Sequence, residues 1–156
     1  MNEIFETLHD FDDLLIEPAI FSKIKSRSEI NTRTIMGSLP IMTAPMDTVI
    51  NQDNFHHFEN CGIVPVLPRI PSPDEAWVDT RRFLSYSIQD FQRIFMNKRV
   101  RVASGDRIHA LIDVANGHMT ELYELCEKAK KMYGYDMLLM VGNVANPKTF
   151  LEYCKI

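Results

Sequence analysis

Ala110-Leu-Ile-Asp-Val-Ala-Asn-Gly-His118 is the stretch whose reading decides the fold. A short apolar run, Ala110 to Ile112, delivers a single carboxylate, Asp113, and small residues follow it as far as Gly117. A run of that length bounded by turn residues reads as a buried strand. Charge is costly to bury, so an Asp at the mouth of such a strand is paired, bound to a ligand or solvated. Small residues after it let a ligand approach the backbone closely. From spacing alone a second role stands beside this one, in which Asp113 caps the helix that follows.

Outward from that stretch the same layout recurs. Leu39–Thr43 closes on Ala44-Pro45-Met46-Asp47-Thr48, and Ile63–Leu67 closes on Pro68-Arg69. Phe83–Ser87 reads as a third strand, His109–Asp113 as the next, and Asp136–Val141 as another that closes on Gly142-Asn143. Helical patterns lie between them. Asn51 is placed to cap a helix reaching Asn60, which Cys61-Gly62 ends. Ser72 or Asp74 is placed to cap a helix through Trp77, a packing residue, to Arg82, with Pro73 in its first turn. Ile88–Phe95 is short and carries Phe91 and Phe95 on one face. Thr120–Met132 puts Leu122, Leu125, Cys126, Ala129 and Met132 on a core stripe before Gly134 stops it. Pro147 opens a last helix.

Strand thus alternates with helix about five times, and the strands are apolar on both faces. That is the signature of a parallel sheet with helical crossovers. In such α/β folds ligands bind at the carboxyl ends of the strands. Thr43–Thr48, Pro68-Arg69, Asp113–Gly117 and Gly142-Asn143 all sit there, which points to one shared ligand site rather than unrelated turns. No G-x-G-x-x-G follows the first strand, which disfavours a dinucleotide-binding doubly wound sheet.

With 156 residues, 46% hydrophobic and 24% charged, the chain has room for a single domain with a real core. Residues 1–35 read as a polar, irregular N-terminal extension and 36–156 as the β/α units. A net charge of -4 without a long basic run argues against nucleic acid. The apolar runs are too short to span a bilayer and the N-terminus lacks a secretory pattern, so no membrane role and a cytoplasmic location are expected. Cys61, Cys126 and Cys154 are odd in number and lack metal-ligand spacing, as reduced thiols would. Asp10, Asp12 and Asp13 lack the glycine-bearing calcium-loop pattern, so no metal site is expected. His56 and His57, being adjacent, are expected to point to different sides of their helix.

Five motifs carry a family resemblance. Phe11-Asp-Asp-Leu-Leu-Ile-Glu-Pro18, Ser26-Arg-Ser-Glu29, Ala44-Pro-Met-Asp-Thr-Val49, Asp113-Val-Ala-Asn-Gly117 and Gly142-Asn-Val144 occur in the order seen in IMP dehydrogenases and GMP reductases. The sequence resembles about the N-terminal half of a member. The resemblance implies part of a (β/α)8 TIM barrel and hydride transfer between a nicotinamide cofactor and C2 of a purine mononucleotide. IMP dehydrogenase oxidises IMP to XMP with NAD; GMP reductase uses NADPH to convert GMP to IMP and ammonia.

By motif match, Asp113, Val114, Ala115 and Asn143 would contact the cofactor. Ala44, Met46, Gly142 and Asn143 would lie by the purine nucleotide. Ser26 and Arg27 match a segment that in GMP reductases reaches cofactor in a neighbouring subunit, with a loop of ordinary surface role as the alternative. Arg69 stands near a position where the family carries His followed by Lys or Arg, and would supply positive charge. Asp-Val-Ala-Asn-Gly is reductase-like wording and implies NADP(H), whereas Ala-Pro-Met-Asp and His118 lean toward the dehydrogenase and NAD. The stretch from Arg69 to Asp113 is too short for the paired CBS regulatory domains of most dehydrogenases. The family's nucleophilic cysteine and the potassium site beside it are expected beyond Ile156, so no catalytic residue is assigned in this chain. The family's tetramers imply a homo-oligomer. Three readings follow: an oxidoreductase fragment inactive alone, a non-catalytic nucleotide-binding half-barrel, or a chain that pairs with a missing C-terminal half through exposed sheet edges.

Overall fold

The computed structural model describes residues 10–34, 37–71, 73 and 78–156. The chain divides into two compact units, Met1–Thr32 and Arg33–Ile156. In the first, the described residues form two single turns of 3-10 helix, Phe11–Asp13 and Arg27–Glu29, joined by extended chain. Local side-chain bonds hold these turns. The Asp13 carboxylate accepts the Asp10 N–H at 3.1 Å, and the Ser26 hydroxyl accepts the Ser28 N–H at 3.3 Å.

The second unit is built on a parallel four-stranded sheet in the order β1-β2-β3-β4. The strands are β1 (Val66–Leu67), β2 (Phe83–Tyr86), β3 (Ile108–Asp113) and β4 (Met137–Gly142). The helices are α1 (Phe55–Asn60), α2 (Ile88–Phe91), α3 (Thr120–Tyr133) and α4 (Pro147–Tyr153). Strand order equal to chain order, with helices between β2 and β3 and between β3 and β4, is the winding of a barrel wall.

The first expected strand, Leu39–Thr43, is reduced to one parallel bridge, Met42 to Val64. Pro40 and Pro45 flank it and offer no backbone N–H, so a longer ladder cannot form there. The buried Thr43 continues the pairing through its side chain instead. Its hydroxyl accepts the Val66 N–H at 2.8 Å and donates to the Val66 carbonyl at 3.2 Å.

Alternation along β3 sends Ile108, Ala110 and Ile112 to the outer face, where they are fully buried. They pack with Leu84, Tyr86 and Met137, under Phe91, Ile94 and Phe95, and under Leu122, Leu125, Cys126 and Ala129 of α3. Each such apolar side chain stabilises the fold by roughly 1.5–3 kcal/mol relative to exposure. Tyr133 closes this core. Its hydroxyl donates to the Phe95 carbonyl and accepts the Val100 N–H, each at 2.9 Å, so its polar end is satisfied while its ring is buried.

The helices depart from expectation where side chains compete for backbone donors. Asn51 lies before α1, using its carboxamide oxygen on the N–H groups of Asp53 and Asn54, and the helix begins at Phe55. The rings of His56 and His57 lie against each other at 3.9 Å in that short helix rather than on different sides. The expected helix through Trp77 falls partly outside the described residues, which exclude Ser72, Asp74 and Trp77. Val78–Arg82 is not helical. There the Asp79 carboxylate takes the N–H groups of Arg81 and Arg82 at 2.7 and 2.9 Å, an alternative to helical bonding that short acidic side chains favour. Ser87 caps α2 rather than ending a strand, and the helix widens into π turns over Gln92–Met96.

Candidate functional site at the carboxyl end of the sheet

Register sets the site. Asp113, the last residue of β3, pairs with Gly142, the last of β4, so both loops leave the sheet side by side. Asp113 lies well before the N-cap of α3, Met119, and so does not cap that helix. Its carboxylate instead meets Arg69, Nε to Oδ2 at 3.5 Å, and the same guanidinium donates to the Asp113 backbone carbonyl. The two side chains are 34% and 47% exposed, so the pair is solvated and contributes orientation more than stability. Arg69 is therefore engaged with Asp113 rather than held open for phosphate.

The two loops are stitched to each other. The Val114 N–H donates to the Gly142 carbonyl at 2.7 Å and the Asn143 N–H to the Val114 carbonyl at 2.5 Å. The Gly117 N–H donates to the Asn143 carbonyl at 2.8 Å. A Cβ on Gly117 would meet that carbonyl oxygen at 2.5 Å and Val144 Cγ2 at 2.8 Å. The small residue at 117 therefore admits the neighbouring loop, where the sequence pattern pointed to a ligand.

His118 completes the join. Its Nε2 accepts the Ala145 N–H at 3.2 Å, which leaves Nδ1 as the protonated nitrogen of a neutral ring, 3.0 Å from Thr149 Oγ1. The Tyr153 hydroxyl of α4 donates to the Gly117 carbonyl at 2.9 Å, and burial pushes that phenol up to about 12. Sequence reasoning gave His118 and Thr149 no such part. The only signal available was a histidine next to a glycine at a loop end.

Once these bonds are made, Asn143 presents an exposed carboxamide that bonds to no other described residue. With the half-exposed Asp113 carboxylate it offers a donor and acceptors at one end of the sheet. Ala115 is exposed beside them. Ala44 and Met46 are exposed after the bridge that precedes β1, where the Ala44 carbonyl accepts the Met46 N–H at 2.8 Å. The parallel direction brings them to the same end of the sheet, without a direct bond to Asp113 or Asn143 among the described residues. Ser26 and Arg27 belong to the other unit, where Ser26 caps the turn that contains Arg27.

No protein-family model matches the chain. It is 25% identical over 151 residues to a GMP reductase of Mesoplasma florum, covering 89% of this chain and 46% of that protein. The chain resembles the IMP dehydrogenase and GMP reductase family over about half the length of its members. Its fold matches part of the barrel in the crystal structure of inosine 5' monophosphate dehydrogenase from Legionella pneumophila, with a TM-score of 0.62 at 20% identity. That match covers 93% of this chain and 47% of the dehydrogenase. The chain thus spans just under half the length of the relatives it matches. No described helix is long and apolar enough to cross a membrane.

Proposed function

We propose that the chain is the nucleotide-binding part of a purine nucleotide oxidoreductase of the GMP reductase type, which converts GMP to IMP and ammonia with NADPH. The observation that supports this most is the joined pair of loops. Asp113 and Asn143 stand together at the carboxyl end of a parallel sheet, one steadied by Arg69 and the other by two backbone bonds to the loop beside it. A carboxylate and a free carboxamide suit the hydroxyls of a ribose and the amide of a nicotinamide. The residues present therefore fit a dinucleotide. When bound, that cofactor would supply the hydride.

The chain's own residues orient. Asp113 accepts hydrogen bonds from ligand hydroxyls while Arg69 fixes its rotamer. Asn143, with its backbone held, presents donor and acceptor to a flat heterocycle. Ala44, Met46 and Gly142 leave room by the purine, Val114 and Ala115 border the cofactor, and Ser26 and Arg27 reach cofactor in a neighbouring subunit.

A second reading, nucleotide binding without turnover, draws on the cysteines. Cys61 and Cys154 close α1 and α4, and Cys126 lies buried in α3, its thiol pushed up to about 12 by burial. None stands in the Asp113–Asn143 loops. Calorimetric titration with NADPH, NAD, GMP and IMP tests both readings. Saturable binding of NADPH and a purine nucleotide, weakened about tenfold (1.4 kcal/mol) by Asp113→Asn or Asn143→Ala, is expected. Binding of none of the four overturns the proposal. NADPH consumption on adding GMP would separate the enzyme from the binding module.

A further inference from the structure

His118 is exposed, yet both nitrogens of its ring are engaged across the join between two consecutive β/α units. Nε2 accepts the Ala145 N–H at 3.2 Å from the β4–α4 loop, and Nδ1 lies 3.0 Å from Thr149 Oγ1 on α4. The ring's own loop is fixed as well. The His118 N–H donates to the Asn116 side-chain oxygen at 3.0 Å, and Gly117 bonds to Asn143 and to Tyr153. Ala145 follows Asn143 by two positions and is followed at once by Asn146, the N-cap of α4. So short a connection passes a displacement at Ala145 on to Asn143.

This join is complete in one protonation state only. A neutral imidazole has one acceptor nitrogen, whereas an imidazolium has none, both nitrogens being donors. In the charged form Nε2–H would face the Ala145 N–H, donor against donor, while Nδ1–H kept its bond to Thr149. Imidazoles pass between the two forms between about pH 5 and 8. We propose that His118 is a proton-sensitive positioning residue of the nucleotide site. Neutral, it holds the β4–α4 loop, and with it Asn143, in the binding position; protonated, it releases that loop. This rests on the reading of Asp113 and Asn143 as ligand-binding groups and gives that site a pH dependence.

The groups that face the ring agree with that sense. A cleft of about 370 Å³ beside His118 is lined by Tyr123 of α3 and by Lys148, Glu152 and Tyr153 of α4. Lys148 disfavours a second cation there. Glu152 would favour one, but Lys155 Nζ holds its carboxylate at 2.6 Å. The Tyr123 and Tyr153 rings rest against each other with centroids 5.5 Å apart, and the Tyr153 hydroxyl is taken by the Gly117 carbonyl. Among the described residues no carboxylate bonds to the His118 ring.

Hydrogen exchange of the ligand-free chain, with protection taken relative to each amide's intrinsic rate at the same pH, tests this directly. From about pH 8 to about pH 5 the Ala145 and Asn143 amides are expected to lose protection roughly fivefold, the worth of one hydrogen bond. The Leu125 amide within α3 should keep its own. His118→Gln offers an acceptor oxygen that takes no proton, and should keep Ala145 and Asn143 equally protected at both pH values. His118→Leu should leave them weakly protected at both. Titration with the acid-stable oxidised cofactor NADP+ reads the consequence for binding. The affinity of the parent relative to His118→Gln should fall roughly fivefold at the acid value, a ratio from which the ligand's own titration cancels. Protection that does not change with pH, or that falls as far in His118→Gln as in the parent, overturns the proposal. So does NADP+ binding whose ratio to His118→Gln is the same at both values. Absence of NADP+ binding at either pH strikes the ligand-binding reading instead, and the exchange measurement still decides whether His118 holds the loop.

Discussion

Gly117→Ala tests whether the site is built by loop meeting loop. The added methyl would sit 2.5 Å from the Asn143 carbonyl oxygen and 2.8 Å from Val144 Cγ2. The first of these is backbone, so the β4–α4 loop must move as a whole. Overpacking of this kind costs roughly 1–3 kcal/mol. Displacing the carbonyl also lengthens the 2.8 Å bond it accepts from the Gly117 N–H, worth about 1 kcal/mol. Alanine restricts the unfolded chain and returns about 0.4–1 kcal/mol. The net expectation is a loss of about 1–3 kcal/mol.

Gly142 supplies the internal control. It lies in the same pair of loops, yet a Cβ there meets no atom within 4 Å. Gly142→Ala is therefore expected to be neutral or stabilising by up to about 1 kcal/mol. Urea denaturation of the two variants beside the parent chain reads both values. For a chain of this length each kcal/mol moves the thermal midpoint by roughly 2–4 °C, so a melt gives the same ordering. Equal stability of the two variants, or a more stable Gly117→Ala, would show that the loops are not in the contact described here.

Four further expectations are open to measurement. Burial pulls the His109 imidazole below the ordinary histidine value of 6.5, against the Arg81 backbone and Asp79, so the unfolded chain takes up that proton first. Its contribution is whole above about pH 6.5 and lost as pH falls toward the folded value; denaturation midpoints against pH should slope less in His109→Gln. Asp90 is held below its ordinary 3.8 by Arg93 and Ser87, so its contribution is present above that value and lost as pH falls through the lower folded value. A midpoint curve for Asp90→Asn that still falls like the parent's at acid pH would remove Asp90 from that account. Ser87→Ala removes the oxygen that accepts the Asp90 N–H at 3.0 Å, and a urea titration should register a loss of about 1 kcal/mol. Maleimide labelling in native buffer should reach Cys61 and Cys154 rapidly and Cys126 only on unfolding, as mass spectrometry of timed aliquots will report.

The parallel sheet was legible because its strands are short, apolar on both faces and separated by helical periods. β2, β3 and β4 fall within one or two residues of where those runs place them, and α3 ends at Gly134 as its spacing requires. Legibility failed where one side chain outbid the backbone. Thr43 takes over from a ladder, Asp79 diverts two N–H groups from a helix, and Asn51 shortens α1 from its start. Each of these residues is common in turns and caps, and the sequence alone does not say which backbone groups it will capture. Asp113 was readable as a site residue by its place at a strand end. Its bond to Arg69, 44 positions away in the chain, was not, because no local pattern encodes a partner at that separation.

The division of labour at the carboxyl end of the sheet follows from which groups are already spent. Val114, Gly117 and Gly142 give their backbone groups to the neighbouring loop, and His118 uses both ring nitrogens on Ala145 and Thr149. Arg69 faces Asp113 with its side chain and grips the same residue's carbonyl. The side chains in these loops that retain hydrogen-bonding capacity toward a ligand include the Asp113 carboxylate, which the exposed guanidinium only partly occupies, and the Asn143 carboxamide. A preorganised frame lowers the entropy lost when such groups bind. Gly117 and His118 therefore act on affinity only through the position of Asn143, while Asp113 and Asn143 act on it directly. Substitutions at the first pair should change stability and binding together, and those at the second should change binding with stability left near the parent's.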